Sequence, residues 1–301
     1  MGITDASTRI TLKNILYLTD FSEPSEAALP FAAAIAREYE AKVHAYHVLI
    51  PAVYAYTTPE LATAGVEVQE EKAEADMEKV KAQLSGLSSS TIVERGVAIW
   101  PSLERAIEEY AIDLIVLGTH GRTGAQKLLL GSVAEEVFRR SHVPVLTIGP
   151  WARGGVHKGA KFHRVLFATD FTDESMAAAP YAISMAQENQ ARLIVLHVMK
   201  QPEAGTPKKA IEDAESSAMF QLHEIVPPSA ELWCRPEGIV QYGDAADKIL
   251  EIAKAQGADL IVLGVRDARG HIGAATHLER TTANRVVAHA PCPVLTVRGK
   301  G

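Results

Sequence analysis

The stretch Gly118-Thr119-His120-Gly121-Arg122-Thr123-Gly124-Ala125-Gln126-Lys127-Leu128-Leu129-Leu130-Gly131-Ser132 has the residue types and spacing of a phosphate cradle. It follows the apolar run Leu114-Ile115-Val116-Leu117 and precedes a helical pattern that starts at Val133. Glycines after a buried strand let the backbone turn and come close to a ligand, and the next helix presents backbone N–H groups, here at Gly131 and Ser132, to an anion. The spacing G-x2-G-x9-G-S lacks the Gly-Lys-Ser/Thr ending of a P-loop and the G-x-G-x-x-G of a dinucleotide-binding turn. Backbone groups at Gly121, Gly131, Ser132 and Val133 are the first candidates for phosphate contact. His120, Arg122 and Lys127 belong to the same segment and could approach phosphate or face solvent. The Ser132 hydroxyl could cap the helix and bind a phosphate oxygen, two compatible roles. The competing reading is a glycine-rich loop that only turns the chain.

Two further strand ends point to the same crevice. Thr19-Asp20 closes the first apolar run and His47-Val48 the second. In an open α/β sheet, ligands bind outside the carboxyl ends of the strands where the strand order reverses. Asp20 could accept hydrogen bonds from ribose hydroxyls or an adenine edge, or cap the first helix. His44 and His47 lie three apart on a strand, so they face opposite sides and cannot chelate one metal together; both read as strand histidines.

Taken together, Gly118, Gly121, Gly131-Ser132, Thr19-Asp20 and His47-Val48 resemble the ATP-binding branch of the universal stress protein family. The resemblance implies ATP (or ADP) as the ligand, with Mg²⁺ accompanying the nucleotide. It implies that Asp20 contacts the nucleoside and that Val48 offers backbone N–H and C=O to adenine. It implies a nucleotide-dependent stress-response regulator rather than an enzyme. Slow Mg²⁺-dependent ATP hydrolysis would need a group to orient water, for which Asp20 and His120 are the candidates. A dimeric scaffold with a non-functional pocket is the third reading.

The elements that must hold these residues occur twice. Lys13-Asn14-Ile15-Leu16-Tyr17-Leu18-Thr19-Asp20-Phe21-Ser22 recurs as His163-Arg164-Val165-Leu166-Phe167-Ala168-Thr169-Asp170-Phe171-Thr172, and His47-Val48 as His197-Val198. Asp113–Gly118 recurs as Asp259–Gly264, and Pro144–Thr147 as Pro293–Thr296. A period this long means tandem domains rather than a solenoid. Their expected bounds are residues 1–150 and 160–301, joined by a Gly-rich, basic linker at 151–159. Strands near 14–19, 42–48, 91–97, 114–117 and 143–148, with helices between them, predict a mostly parallel five-stranded open sheet covered on both faces in each copy. This is an α/β, Rossmann-like class that the resemblance refines to adenine nucleotide alpha-hydrolase-like. Ser22 sits where the first helix needs an N-cap, and Ala28, Phe31, Ala32 and Ile35 form its apolar face. Leu103, Ile107 and Tyr110 form a similar stripe. Val66–Leu84 reads as a helix with a solvated, charged face, and Pro51–Gly65, with Tyr54 and Tyr56, as a surface loop.

The second copy keeps Asp170, Val198 and Gly264 but sets Asp267 where the first has Gly121, and a carboxylate there would repel phosphate. Counting back from Pro293 puts Arg280-Thr281 opposite Gly131-Ser132. Weak or no ATP binding is expected there, with Arg266, Arg269 and Arg280 read as surface residues. Members of this kind are expected to pair through their last strands, here 143–148 and 292–297, within one chain or as a homodimer.

Composition sets the outer bounds. A chain of 301 residues with 47% hydrophobic content is long enough for two domains with real cores. A net charge of -7 argues against a nucleic-acid partner. Cys234 and Cys292 are the cysteines, without a C-x-x-C or H-E-x-x-H spacing, so reduced thiols are expected rather than a disulfide framework or zinc site. No apolar run approaches the ~18 residues that span a bilayer. A soluble, cytoplasmic protein is the expectation, its adenine nucleotide partner implied by the resemblance and its protein partner unspecified.

Overall fold

Apolar runs become buried strands and the amphipathic stretches between them become the helices that cover the strands. The computed structural model describes residues 10–51, 59–119, 130–152, 161–234, 236–265 and 281–299. The chain divides into two units, one comprising Thr11–Lys127 with Gly131–Ile148, the other including Gly149–Gly301.

In the first unit the order is β1 (Asn14–Leu18), α1 (Glu23–Glu26), α2 (Leu29–Tyr39), β2 (Lys42–Leu49), α3 (Pro59–Gln83), β3 (Ser89–Arg95), α4 (Ile99–Glu109), β4 (Leu114–Gly118), α5 (Ser132–Arg140) and β5 (Val145–Ile148). All its described strand pairings are parallel, in the order β3-β2-β1-β4-β5. Leu16 of β1 registers with His44 on one side and Ile115 on the other. Ile15, Leu16 and Tyr17 are fully buried in succession, as a parallel strand covered on both faces requires. Each such apolar side chain contributes roughly 1.5–3 kcal/mol of burial.

The second unit repeats this with β6 (Arg164–Thr169), α6 (Asp173–Met176), α7 (Ala179–Asn189), β7 (Arg192–Met199), α8 (Lys208–Ile225), a 3-10 turn (Pro228–Leu232), β8 (Glu237–Tyr242), α9 (Ala245–Gln256), β9 (Leu260–Val265), α10 (Thr282–His289) and β10 (Val294–Arg298). Its described pairings are again parallel, in the order β8-β7-β6-β9-β10. At the start of the central strands, the Asp113 carboxylate accepts the Lys13 and Asn14 N–H groups at 2.7 and 2.9 Å, and Asp259 does the same for His163 and Arg164 at 2.7 and 2.9 Å.

Two expectations are corrected. The first helix is split: α1 ends at Glu26 and α2 restarts at Leu29 with Pro30 in its first turn, since a proline without an N–H cannot sit deep inside a helix. The buried face of α2 is Leu29, Phe31, Ala32, Ala33, Ile35 and Ala36. Helix α3 starts at Pro59, so 59–65 is helical rather than loop; a first-position proline is pre-organised for a helix. Helix α3 buries Ala73, Met77 and Val80 and leaves its charged side to solvent. Both cysteines are free and buried, and burial pushes their thiols up to about 11 for Cys234 and about 12 for Cys292. No helix among the described residues is long and apolar enough to cross a membrane.

Candidate functional site

The sheet order makes β1 and β4 neighbours whose connections leave in opposite directions, so the crevice lies beyond their carboxyl ends. Thr19 and Asp20 stand at the end of β1, Gly118 and Thr119 at the end of β4. The Thr19 N–H donates to the Tyr46 carbonyl at 3.0 Å, the last bond before β1 turns away from β2. Phe21 then adopts a left-handed backbone, φ 60°. That conformation is costly for a residue with a Cβ, and local bonds hold it. The Phe21 N–H donates to Thr19 Oγ1 at 3.0 Å, and Thr19 Oγ1 shares a 3.1 Å hydrogen bond with Ser25 Oγ. The Phe21 ring packs on His47 at 4.5 Å between centroids, and His47 Nδ1 lies 2.8 Å from the Thr19 carbonyl, which fixes Nδ1–H as donor. The Tyr17 hydroxyl donates to the Ser25 carbonyl at 2.9 Å and anchors the same turn from below; burial pushes this phenol up to about 12.

Asp20 is half-buried, and its Oδ1 accepts the Ser22 N–H at 3.0 Å and the Ser22 hydroxyl. Ser22 in turn caps α1 by accepting the Ser25 N–H. The capping role weighed for Asp20 therefore belongs to Ser22, which Asp20 orients.

Val48 has a buried side chain. Because Tyr46 directs its carbonyl to β1 and Leu49 accepts the Gly96 N–H at 3.0 Å, strand alternation directs the Val48 backbone toward the side that β1 has left. Gly96 closes the other side: a Cβ there would lie 2.9 Å from Val48 Cγ1 and 2.6 Å from Ser102 Oγ. Gly96 was missed from sequence, although its recurrence as Gly243 at the end of β8 was a usable signal. His44 lies on the opposite face to His47, with Nδ1 3.0 Å from Ser90 Oγ and Nε2 3.3 Å from Asn14 Oδ1. Its pKa is lowered by burial, then by Lys42.

The cradle departs from expectation in three respects. Gly118 also packs closely: a Cβ would lie 2.5 Å from the Pro24 carbonyl oxygen, and at the matching Gly264 it would lie 2.2 Å from that of Glu174. The Gly131 N–H is committed, donating to the Thr119 carbonyl at 2.7 Å while the Thr119 N–H donates to Ile148 at 2.9 Å. Gly131 is itself the N-cap of α5, and Ser132 is the first helical residue, exposed, and does not cap. An N-cap glycine has no side chain to accept from the first turn, so the helix start at Ser132, Val133 and Ala134 carries no side-chain cap. His120, Gly121, Arg122 and Lys127 lie outside the described residues, as do Arg266, Asp267, Arg269 and Arg280 of the second copy, residues 153–160 (most of the linker and the first residue after it), and Tyr54 and Tyr56.

The second unit repeats the turn. Phe171 has φ 62°, its ring lies 4.4 Å from that of His197, His197 Nδ1 lies 2.8 Å from the Thr169 carbonyl, and Asp170 Oδ1 accepts the Thr172 N–H and hydroxyl at 3.2 and 2.6 Å. Its last helix differs: the N-cap of α10 is Thr281, whose hydroxyl accepts the Asn284 N–H at 3.3 Å. The two arrangements divide the chemistry available: a start without a side-chain cap can receive an anion, whereas Thr281 satisfies one donor of its own first turn.

Comparison with known proteins gives the same division of the chain. The family model described as the universal stress protein family matches residues 11–149 and again 161–298. A universal stress protein of Methanocaldococcus jannaschii is 36% identical over 139 residues, covering 45% of this chain and 81% of its own length. One from Mycolicibacterium smegmatis is 26% identical over 300 residues, covering 94% of this chain and 96% of its own. The crystal structure of a universal stress protein from Archaeoglobus fulgidus superposes with a TM-score of 0.68 at 21% identity, over 97% of this chain and 98% of that one. The chain belongs to the universal stress protein family, with two tandem copies of its domain.

Proposed function

We propose that the first domain, residues 1–150, binds ATP or ADP, and that occupancy makes the chain a nucleotide-dependent regulator in the stress response, acting in the cytoplasm. The observation that carries this reading is the start of α5, where an N-cap glycine leaves the first turn without a side-chain cap at the β1–β4 switch point. The residues fit the ligand. Backbone donors at Ser132 and Val133 suit phosphate oxygens, the Asp20 carboxylate suits ribose hydroxyls, and the Val48 backbone suits an adenine edge. Mg²⁺ would accompany the phosphates. The second domain, residues 160–301 after the 151–159 linker, binds ATP weakly or not at all, since Thr281 occupies its own helix start.

The test is to denature the purified protein and identify any released small molecule by mass spectrometry. ATP or ADP at one per chain supports the reading. An empty protein whose melting temperature also ignores added ATP would leave a scaffold as the better account.

A further inference from the structure

One buried histidine of the first unit takes no part in the proposed nucleotide site. His44 on β2 is 3% exposed, and its ring stacks on that of Tyr110, the residue that ends α4, at 5.0 Å between centroids. Asn14 of β1 fixes its tautomer. The Asn14 amide nitrogen donates to the Ala111 carbonyl at 3.3 Å, so the amide oxygen is the acceptor 3.3 Å from His44 Nε2, which carries the hydrogen. Nδ1 is then the acceptor for the Ser90 hydroxyl of β3, 3.0 Å away. Both nitrogens of a neutral imidazole are thus satisfied by uncharged partners. A second proton, on Nδ1, would remove the acceptor that Ser90 uses and place a charge on a ring almost closed to water.

The charged groups around the ring offer that charge no partner. Lys42, two residues earlier on β2, opposes it. Asp113, ahead of β4, accepts the Lys13 and Asn14 N–H groups, and Glu94 of β3 is held by Tyr46 and Arg105. Glu109 of α4 acts, after burial, on the Tyr110 phenol. Burial and then Lys42 hold the imidazole below the usual histidine range. The second unit has a different set: Arg164, Ile194 and Glu237 stand in register where the first has Asn14, His44 and Ser90. Two residues beyond His44, the Tyr46 carbonyl holds the Thr19 N–H, so disturbance of β2 reaches the turn that carries Asp20.

We infer that His44 is an acid-sensitive latch: neutral, it ties β1, β2, β3 and the end of α4 together, and on protonation it loosens the first unit, while the second unit, with Ile194 in its place, lacks the latch. This inference stands independently of ATP binding. The sign follows from linkage. With the folded pKa below the unfolded value of ~6.5, the unfolded chain binds more protons between the two. Stability is then full above about pH 6.5 and is lost as pH falls below it, until the folded pKa is reached.

The test is hydrogen exchange of the intact chain at about pH 7.5 and about pH 5.5, with protection corrected for the intrinsic exchange rate. Peptides from β1 and β2 are expected to lose severalfold more protection than those from β6 and β7, up to about tenfold. His44→Ile should remove the difference. Because that variant leaves Asn14 and Ser90 without their partner, long-range proton–nitrogen NMR of the parent supplies a second reading. The His44 signals, identified through His44→Gln, are expected to show the Nε2–H tautomer at neutral pH. Equal losses in the two units, an extra loss that persists in folded His44→Ile, or a His44 ring already charged at neutral pH would each overturn the inference.

Discussion

The turn after β1 and the turn after β6 are one structure built twice, whereas the starts of α5 and α10 are two solutions to the same problem. Both turns carry a left-handed phenylalanine against a histidine that is locked on a threonine carbonyl. Both seat a short helix against a glycine with no room for a Cβ. Gly118 recurs as Gly264 with the same close approach to a short helix, so its packing belongs to the fold, even though it opens the segment that first suggested phosphate binding. Gly131 and Thr281 differ between the units, and the proposed functional distinction rests on that difference.

The most direct way to break that distinction is to give the first unit the second unit's solution. Gly131→Thr is compatible with the observed φ −64° and ψ 149° and supplies a hydroxyl to the first turn. It is expected to lower ATP affinity by roughly a hundredfold, because the competing N–H bonds to a charged group are worth ~1.5–3 kcal/mol each. Stability should rise by a few tenths of a kcal/mol. Titration calorimetry and thermal unfolding would read the two opposed effects; unchanged affinity would remove α5 from the site.

The shared glycines should behave alike. Gly118→Ala and Gly264→Ala each force a Cβ into a helix backbone and are expected to cost about 1–3 kcal/mol in urea unfolding, with Gly264→Ala the larger because its approach is closer. A harmless Gly118→Ala that lost only ATP binding would return this residue to the ligand. Below these in size, Thr281→Ala should cost about 1 kcal/mol as a lost cap, while Ser132→Ala, at an exposed position that does not cap, should leave stability nearly unchanged.

The smallest effect concerns acid. Burial works to raise the Asp170 carboxyl, and hydrogen bonds from Thr172 and Ser175 outweigh it, holding the group below the usual carboxylate range. A folded pKa below the unfolded value of ~3.9 means that the stabilisation is fully present above that pH and is lost as pH falls through the lower folded value. Asp170→Asn should therefore flatten the loss of stability below about pH 4, read from melting temperatures between neutral and acid; an unaltered slope would show that the turn does not depend on the charge.

Much of the fold was legible because buried parallel strands leave continuous apolar runs and because the second copy repeats them: Asn14–Leu18 and Arg164–Thr169 are close to where the repeat puts them. The start of α3 was not, since 59–65 lacks apolar periodicity and only Pro59 signals it. At the site, residue types pointed to Asp20, Val48 and the Gly131–Val133 segment. The close approach of Gly118 to Pro24 and the bond from the Gly131 N–H to Thr119 were not legible, because they are tertiary facts that glycine spacing does not encode. Phe21 was invisible for the same reason: nothing in its side chain announces a positive φ.

The stoichiometry of ATP binding to the intact chain tests the central claim most directly. Titration calorimetry is expected to give one ATP per chain in the parent and none detectable in Gly131→Thr. Two equivalent sites, or one site that survives Gly131→Thr and disappears on disruption of the second domain, would contradict the assignment of the nucleotide to the first.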